Sequence, residues 1–453
     1  MSLPDGPQTP LWLQRIQIIL APVETWSEWK RLYGDNFRIG KEPPTICFSS
    51  PKAIETILTA PSDVISSHQT RAFPSAVKRR GVARQTSEPI KNLVGNNSIL
   101  YLKGDRHRRE RKLLMPMFHK ESIRRYNEII CSTTEQAINK LAEGKAFKVR
   151  SLTNEITLSV LLKAIFGLES GQRYSQLKNI LSQISSLFSN PLFSVISLFP
   201  TLQQPWGIWQ DFLKLQNQLE KILLAEISDR RQVRNLQGKD IFSLLILARD
   251  EFNVPLSESE IRDELMTFVF AGYETTAAAI SWSLYWTHYL PNVFDKLIEE
   301  VTSNPTIEPE AIAKLPYLNA VCRETLRLYP IAMNAFGRQV VKPITIEGFN
   351  LQPGTNINIS IFLAHRREST FSNADKFIPQ RFLKQQYSPY EYLPFGGGDR
   401  RCLGASLALQ EMKLVLFTIL SKVKLEIVNP HLLRPIRYGV AMIPPDYFSM
   451  RCR

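Results

Sequence analysis

The chain has 453 residues, with a hydrophobic share of 44% and a charged share of 22%; this excludes a disordered or low-complexity polymer and fits a globular protein with a large core. Its 56 Lys and Arg outnumber 42 Asp and Glu for a net charge of +14, which favours acidic partners, anionic lipid or nucleic acid. Cys47, Cys131, Cys322, Cys402 and Cys452 are scattered, odd in number and form no C-x-x-C pair, so neither a disulfide framework nor a zinc site is suggested, and a reducing cytosol fits best.

No Gly/Ser run, Pro-rich spacer or internal repeat divides the chain, so residues 1–453 read as one domain despite the length. The apolar stretch 11–22 is interrupted by Gln14, Arg15 and Gln17. It falls short of the roughly 20 apolar residues that span a bilayer, and it lacks a small-residue cleavage site. Residues 1–30 are expected to form an extension without a transmembrane anchor, in a cytoplasmic protein. Ile16, Ile18, Ile19 and Leu20 could still offer an apolar surface for peripheral membrane contact. Residues 35–49 are predicted as a hairpin, with Phe37, Ile39, Ile46 and Phe48 flanking Pro43-Pro44.

Between Lys103 and Arg125 nine Lys/Arg face three Asp/Glu. Without interleaved aromatics or a nucleic-acid motif, this segment is either a docking face for an acidic protein or a solvated basic helix. Helical periodicity dominates from about residue 105 to 330. The stretch Leu187–Phe212, with Phe188, Phe193, Phe199, Trp206 and Trp209, is either a mobile apolar lid or core packing. The longest helix is predicted to start at Ser257, where Ser257 and Glu260 make a capping box after Pro255, and to run to Leu290 before Pro291. At 1.5 Å per residue it would reach roughly 50 Å. Strand-like, turn-rich segments return at 340–360. The pattern is mostly α with small β-sheets (α+β).

Chemistry concentrates in four segments. The long helix contains Ala271-Gly272-Tyr273-Glu274-Thr275-Thr276. Gly272 costs about 1 kcal/mol there relative to Ala, and buried Glu and Thr are unfavourable without partners; the segment is a solvated kink or a functional site. Glu324 and Arg327 share a helix face at i,i+3 spacing. Phe377-Ile-Pro379-Gln-Arg381-Phe382 follows downstream. Last comes Phe395-Gly396-Gly397-Gly398-Asp399-Arg400-Arg401-Cys402-Leu403-Gly404. Its glycines allow close approach of a flat ligand. A helix N-terminus, with Arg400 and Arg401, would lower the pKa of Cys402.

Phe395, Gly398, Arg400, Cys402 and Gly404, at F-x-x-G-x-R-x-C-x-G spacing, resemble the haem-ligand loop of the cytochrome P450 family, where a cysteine thiolate ligates the iron. Ala271–Thr276 is similar to the family's A-G-x-E-T-T motif, and Glu324, Arg327 and Arg381 match its E-x-x-R and P-x-R-F elements. The resemblance runs from about residue 30 to the C-terminus and is nearest to soluble cyanobacterial members. It implies one large, mostly helical haem-binding domain holding haem b (iron protoporphyrin IX). Cys402 would be the axial ligand with Phe395 beside the sulfur and Gly404 in the loop. His107, Arg111, Arg338 and Arg400 would hold propionates, and Ala271 would lie over the haem. Thr275 and Glu274 would deliver the protons needed to split dioxygen. Glu324, Arg327 and Arg381 would form a structural charge network, with His365 also structural.

The implied pocket is lined by Phe268, Ala271, Ile331, Met333, Phe336, Val440 and Met442, by a loop around residues 72–95 and by Leu187–Phe212. It favours a hydrophobic substrate such as a fatty acid, alkane or sesquiterpene. Arg71, Lys78, Arg79, Arg80 and Arg84 could hold a carboxylate at its mouth or form a solvated face. The implied activity is monooxygenation, with electrons from a separate acidic ferredoxin- or flavodoxin-like donor and its reductase, and without nucleic acid or a stable membrane anchor. The alternatives are a peroxide-using or isomerising haem-thiolate enzyme and a non-enzymatic haem sensor.

Overall fold

The structure is a computed structural model that describes residues 3–40, 43–67, 89–188, 190, 192–193, 196, 203, 206–233, 236–305, 307–438 and 441–453. The long helix spans Glu258–Tyr289, 32 residues, close to the predicted bounds. Its capping box is formed: Ser257 Oγ accepts from Glu260 N–H at 3.2 Å, and Glu260 Oε2 accepts from Ser257 N–H at 2.8 Å. Pro291 opens the next helix, Pro291–Thr302. From Thr276 to Thr287 every side chain of the long helix is buried, so this half lacks a polar face and runs through the core. The helix runs through Gly272 without a break. A Cβ there would stand 3.1 Å from Leu161 Cδ1, so the glycine lets helix Val149–Ala164 pack closely.

Twelve short strands surround the helices among the described residues: β1 Asn36–Ile39, β2 Thr45–Phe48, β3 Ile65–Ser67, β4 Ala146–Lys148, β5 Arg338–Val340, β6 Ile344–Ile346, β7 Phe349–Leu351, β8 Asn356–Ile359, β9 Leu425–Ile427, β10 Ile436–Tyr438, β11 Ala441–Ile443 and β12 Ser449–Cys452. The main sheet has the order β1-β2-β8-β5-β3. β1 and β2 form the predicted hairpin, Asn36 opposite Phe48. β2 pairs with β8 in parallel, and β5 between β8 and β3 carries Arg338 towards the cysteine loop.

The N-terminal segment folds onto this sheet. Helices Leu11–Leu20 and Pro22–Tyr33 precede β1, and Trp26 and Trp29 are buried against Phe37. No helix of the described residues is long and apolar enough to cross a membrane.

Candidate active site

The cysteine loop is shaped by backbone contacts. Cys402 N–H donates to Phe395 O at 3.0 Å and Arg401 N–H to Gly398 O at 3.2 Å. Gly396 and Gly398 have φ of 67° and 65°, a region that side chains disfavour. A Cβ on Gly397 would lie 2.5 Å from Leu58 Cδ1, so this glycine lets the loop press on helix Pro51–Thr59.

Helix Ala405–Lys422 begins three residues after Cys402, and the N–H groups of Gly404 and Ala405 bond the sulfur. The thiol pKa is nevertheless raised, not lowered as the sequence suggested. Burial dominates; the two amides, Arg111 and Arg401 only offset it. By area Cys402 counts as exposed, yet protein surrounds the sulfur on nearly every side. Ala271 is exposed in the middle of the long helix.

Three of the expected propionate ligands converge with their charges. His107 is buried and its pKa falls to about 4, through burial first and then Arg400, Arg111 and Arg338; it is neutral at physiological pH. Burial likewise depresses Arg400 to about 10. Much of the donor capacity is already engaged. Arg400 donates to Ser67 Oγ at 3.2 Å, to Ile99 O at 2.7 Å and to Leu102 O. Arg338 donates to Phe336 O at 2.9 Å and to Asp399 Oδ1 at 3.1 Å, and Arg111 to Arg401 O at 2.9 Å. One carboxylate, Asp399, with its side chain half exposed, faces these three guanidiniums. The cluster is short of two negative charges, which the two propionates of a haem supply beside a single thiolate. The donor set fits that group.

On the long helix, Thr275 Oγ1 donates to Ala271 O at 2.7 Å. Glu274 Oε1 accepts from Ser185 Oγ, and the single Tyr273 O–H is shared between Leu181 O at 3.2 Å and Glu274 Oε1 at 3.4 Å. The acid is thus tied to helix Gln172–Phe188. Ser185 and Tyr273 were missed in the sequence: Tyr273 fell on an unspecified motif position, and nothing marks Ser185 as a partner 89 residues away.

The charge network forms beneath the loop. Arg327 holds Glu324 with bonds of 2.8 and 2.9 Å, both side chains fully buried. Arg381 Nε donates to the same carboxylate at 3.2 Å. Arg327 also donates to His365 O and Ala374 O, each at 2.7 Å, and Ile378 N–H reaches Glu324 at 2.8 Å. His365 Nε2 accepts from Leu393 N–H at 3.0 Å. Burial first, then Arg327, depress its pKa to about 3. The network therefore reaches within a few residues of Phe395.

The expected pocket residues separate. Phe268 is buried edge-on to Phe118, with centroids 5.4 Å apart. Phe336 lies under the Arg400 guanidinium at 5.3 Å. Ile331 packs on Ala278, Ala441 and Ile443. Met333 and Met442 belong to the core cluster of Trp26, Trp29, Phe37 and Phe362. Val440, Phe199 and the basic residues Arg71, Lys78, Arg79, Arg80 and Arg84 lie outside the described residues. Phe193 stacks on Trp209 and abuts Phe188 and Phe212, which is core packing, whereas Trp206 is exposed.

Residues 4–449 match the family model described as Cytochrome P450, and with this match the class is fixed as a haem-binding oxidoreductase of the monooxygenase kind. The chain belongs to the cytochrome P450 family. Among its relatives, the Mycobacterium tuberculosis protein named cytochrome P450 135B1 is 29% identical over 456 residues, covering 100% of this chain and 92% of the relative. Cytochrome P450 135A1 of the same organism is 30% identical over 439 residues, 95% of this chain and 90% of the relative. A solved cyanobacterial structure, CYP120A1 with retinoic acid bound, aligns with a TM-score of 0.83 at 21% identity over 100% of this chain and 99% of the other. The haem domain of cytochrome P450DA gives 0.82 at 20% identity, over 100% and 98%.

Proposed function

We propose that this protein inserts one oxygen atom of dioxygen into a fatty acid, alkane or sesquiterpene, using electrons from an acidic ferredoxin- or flavodoxin-like donor and its reductase. The observation that carries the reading is Glu274-Thr275: an acid held by Ser185 and Tyr273, next to a hydroxyl one turn from the accessible Ala271. We further propose residues 1–453 as a single cytoplasmic domain, and haem b as the cofactor. Cys402 would hold its iron, and Arg338, Arg400, Arg111 and the neutral His107 its carboxylates. Phe395 and Gly404 would flank the thiolate.

Bound haem supplies the oxidising chemistry. The chain's own residues do the rest. The Gly404 and Ala405 amides and the Arg111 and Arg401 charges steady the sulfur's negative charge against burial. Glu274 takes a proton at its carboxylate and passes it on, and the Thr275 hydroxyl holds the proton near Ala271. Phe268, Ile331 and Phe336 give the substrate apolar walls.

Thr275→Ala is the test. In the reconstituted system, product per electron pair should fall by about a hundredfold, the low end of what a positioned general acid contributes, while electron uptake persists and peroxide rises. Unchanged coupling would count against the reading and favour chemistry that needs no proton relay. A low-to-high-spin shift on titration with fatty acids or sesquiterpenes would name the substrate class; no shift with either would overturn both substrate assignments.

A further inference from the structure

Three buried polar side chains of the long helix, Asp263, Glu264 and Thr267, grip the chain that leads into helix Gly104–Leu114. Asp263 Oδ2 accepts from Asn97 N–H at 2.8 Å, and Glu264 Oε1 accepts from Ile99 N–H at 2.6 Å. The Thr267 and Ser98 hydroxyl oxygens lie 2.6 Å apart. A Cβ on Gly95 would stand 2.1 Å from Asp263 Oδ1, so this chain presses directly on the helix. Ser98 to Tyr101 form a β-turn, closed by Tyr101 N–H donating to Ser98 O at 2.8 Å, with Ile99 as its second residue. An acid at this depth costs free energy that an apolar residue would not; what Glu264 gains is a hold on the backbone at Ile99.

Ile99 is held from both sides. Glu264 takes its N–H, and its carbonyl oxygen accepts from Arg400 Nη1 at 2.7 Å. Arg400 Nη2 donates to Leu102 O, and Nε to Ser67 Oγ at 3.2 Å. One N–H on each terminal nitrogen of Arg400 then remains for a carboxylate. Burial first, then Glu110, hold the Glu264 pKa well above the ordinary carboxyl range, and the Ile99 bond only offsets them. Glu264 is therefore a neutral acid whose Oε1 accepts as an amide oxygen would.

We propose that Glu264 is a positioning residue, which through Ile99 holds the Arg400 guanidinium against a haem propionate and so tunes the reduction potential of the haem. This rests on the reading of Arg400 as a propionate ligand. A guanidinium beside a propionate offsets negative charge near the iron, which favours the state richer by one electron. When the guanidinium is released, that negative charge acts on the iron uncompensated. Arg338 and Arg111 are anchored elsewhere, to Asp399 and to Arg401 O, so neither depends on Ile99. The long helix carries both Glu264 and, further along, Glu274 and Thr275. One rigid element thus sets the proton path and the charge around the haem together.

The experiment is a redox titration of the haem-loaded full chain, followed by absorbance, with the melting temperature recorded beside it. Glu264→Met keeps the bulk and loses the acceptor, whereas Glu264→Gln keeps the acceptor. Ile99→Pro removes the same N–H from the other side, at a turn position that proline favours, and leaves the carbonyl to Arg400. Glu264→Met and Ile99→Pro should each shift the balance about tenfold towards ferric, a fall of about 59 mV for one electron. Glu264→Gln should stay near wild type; a fall as large as that of Glu264→Met would overturn the acceptor role. Arg400→Gln should fall at least as far, and adding Glu264→Met to it should lower the potential no further, because the two act in series. If Arg400→Gln lowers the potential but Glu264→Met and Ile99→Pro lower only the melting temperature, the inference falls and the propionate reading stands. A full further fall in the double variant would also sink it, since Glu264 would then act without Arg400. An unchanged potential in Arg400→Gln would overturn the propionate reading and the inference with it.

Discussion

Glu274 is held by Ser185 from outside its own motif and by Tyr273 from within it. A carboxylate free to rotate has no fixed proton path; one bonded to Ser185 and Tyr273 does. Replacing Ser185 with Ala removes one hydrogen bond to an acid, an interaction worth about 1.5–3 kcal/mol when charged. Turnover should drop about ten- to hundredfold by the same measure, with the substrate affinity from spin-state titration unchanged and activity restored by Ser185→Thr. Equal kcat in Ser185→Ala and wild type would remove Ser185 from proton delivery. Cys402, Glu274 and Thr275 can be proposed from the sequence because each sits in a local motif. Ser185 cannot, because tertiary packing brings it to the acid. The sign of the Cys402 shift was misread for a related reason: arginines are visible in a sequence, but burial is not.

Capping boxes and prolines are local, so the bounds of Glu258–Tyr289 could be read from the chain. Long-range pairing was less accessible: β2 lies beside β8 about 310 residues later, and no sequence period announces it. The apolar pattern of Met333 and Met442 was equally silent on whether they line a pocket or pack under Trp26. Helix Ala405–Lys422 carries a testable burden of its own. Glu411 is buried, its Oε1 has no hydrogen-bond partner, and burial raises its pKa from 4.5 to about 8. Between those values the folded state binds more protons than the unfolded chain, so stability falls as pH rises, by up to about 1.4 kcal/mol per pH unit. The contribution is intact below pH 4.5, erodes through this window and levels off above about 8. Glu411→Gln, neutral throughout, should melt like wild type near pH 4.5 and several degrees higher at pH 8. A constant Tm difference across that range would show that Glu411 does not titrate as its burial requires.

At the scale of the molecule, the charge network, the sheet and the long helix serve one position. Glu324, Arg327 and Arg381 secure the chain before the cysteine loop, His365 bonds Leu393 at its start, and β5 delivers Arg338 to its flank. Removing one member of such a buried set costs about 3–5 kcal/mol, which explains a charge cluster of this size away from the chemistry. The net charge of +14 belongs to this scale too, since it acts on partners before any contact forms. The central claim is that Cys402 presents a thiolate to the haem iron. The most direct measurement is the absorption spectrum of the reduced, carbon-monoxide-bound protein, for wild type and for Cys402→His. The account predicts the red-shifted Soret band of thiolate ligation in wild type and its loss in the variant. The same red-shifted band in both proteins would contradict it.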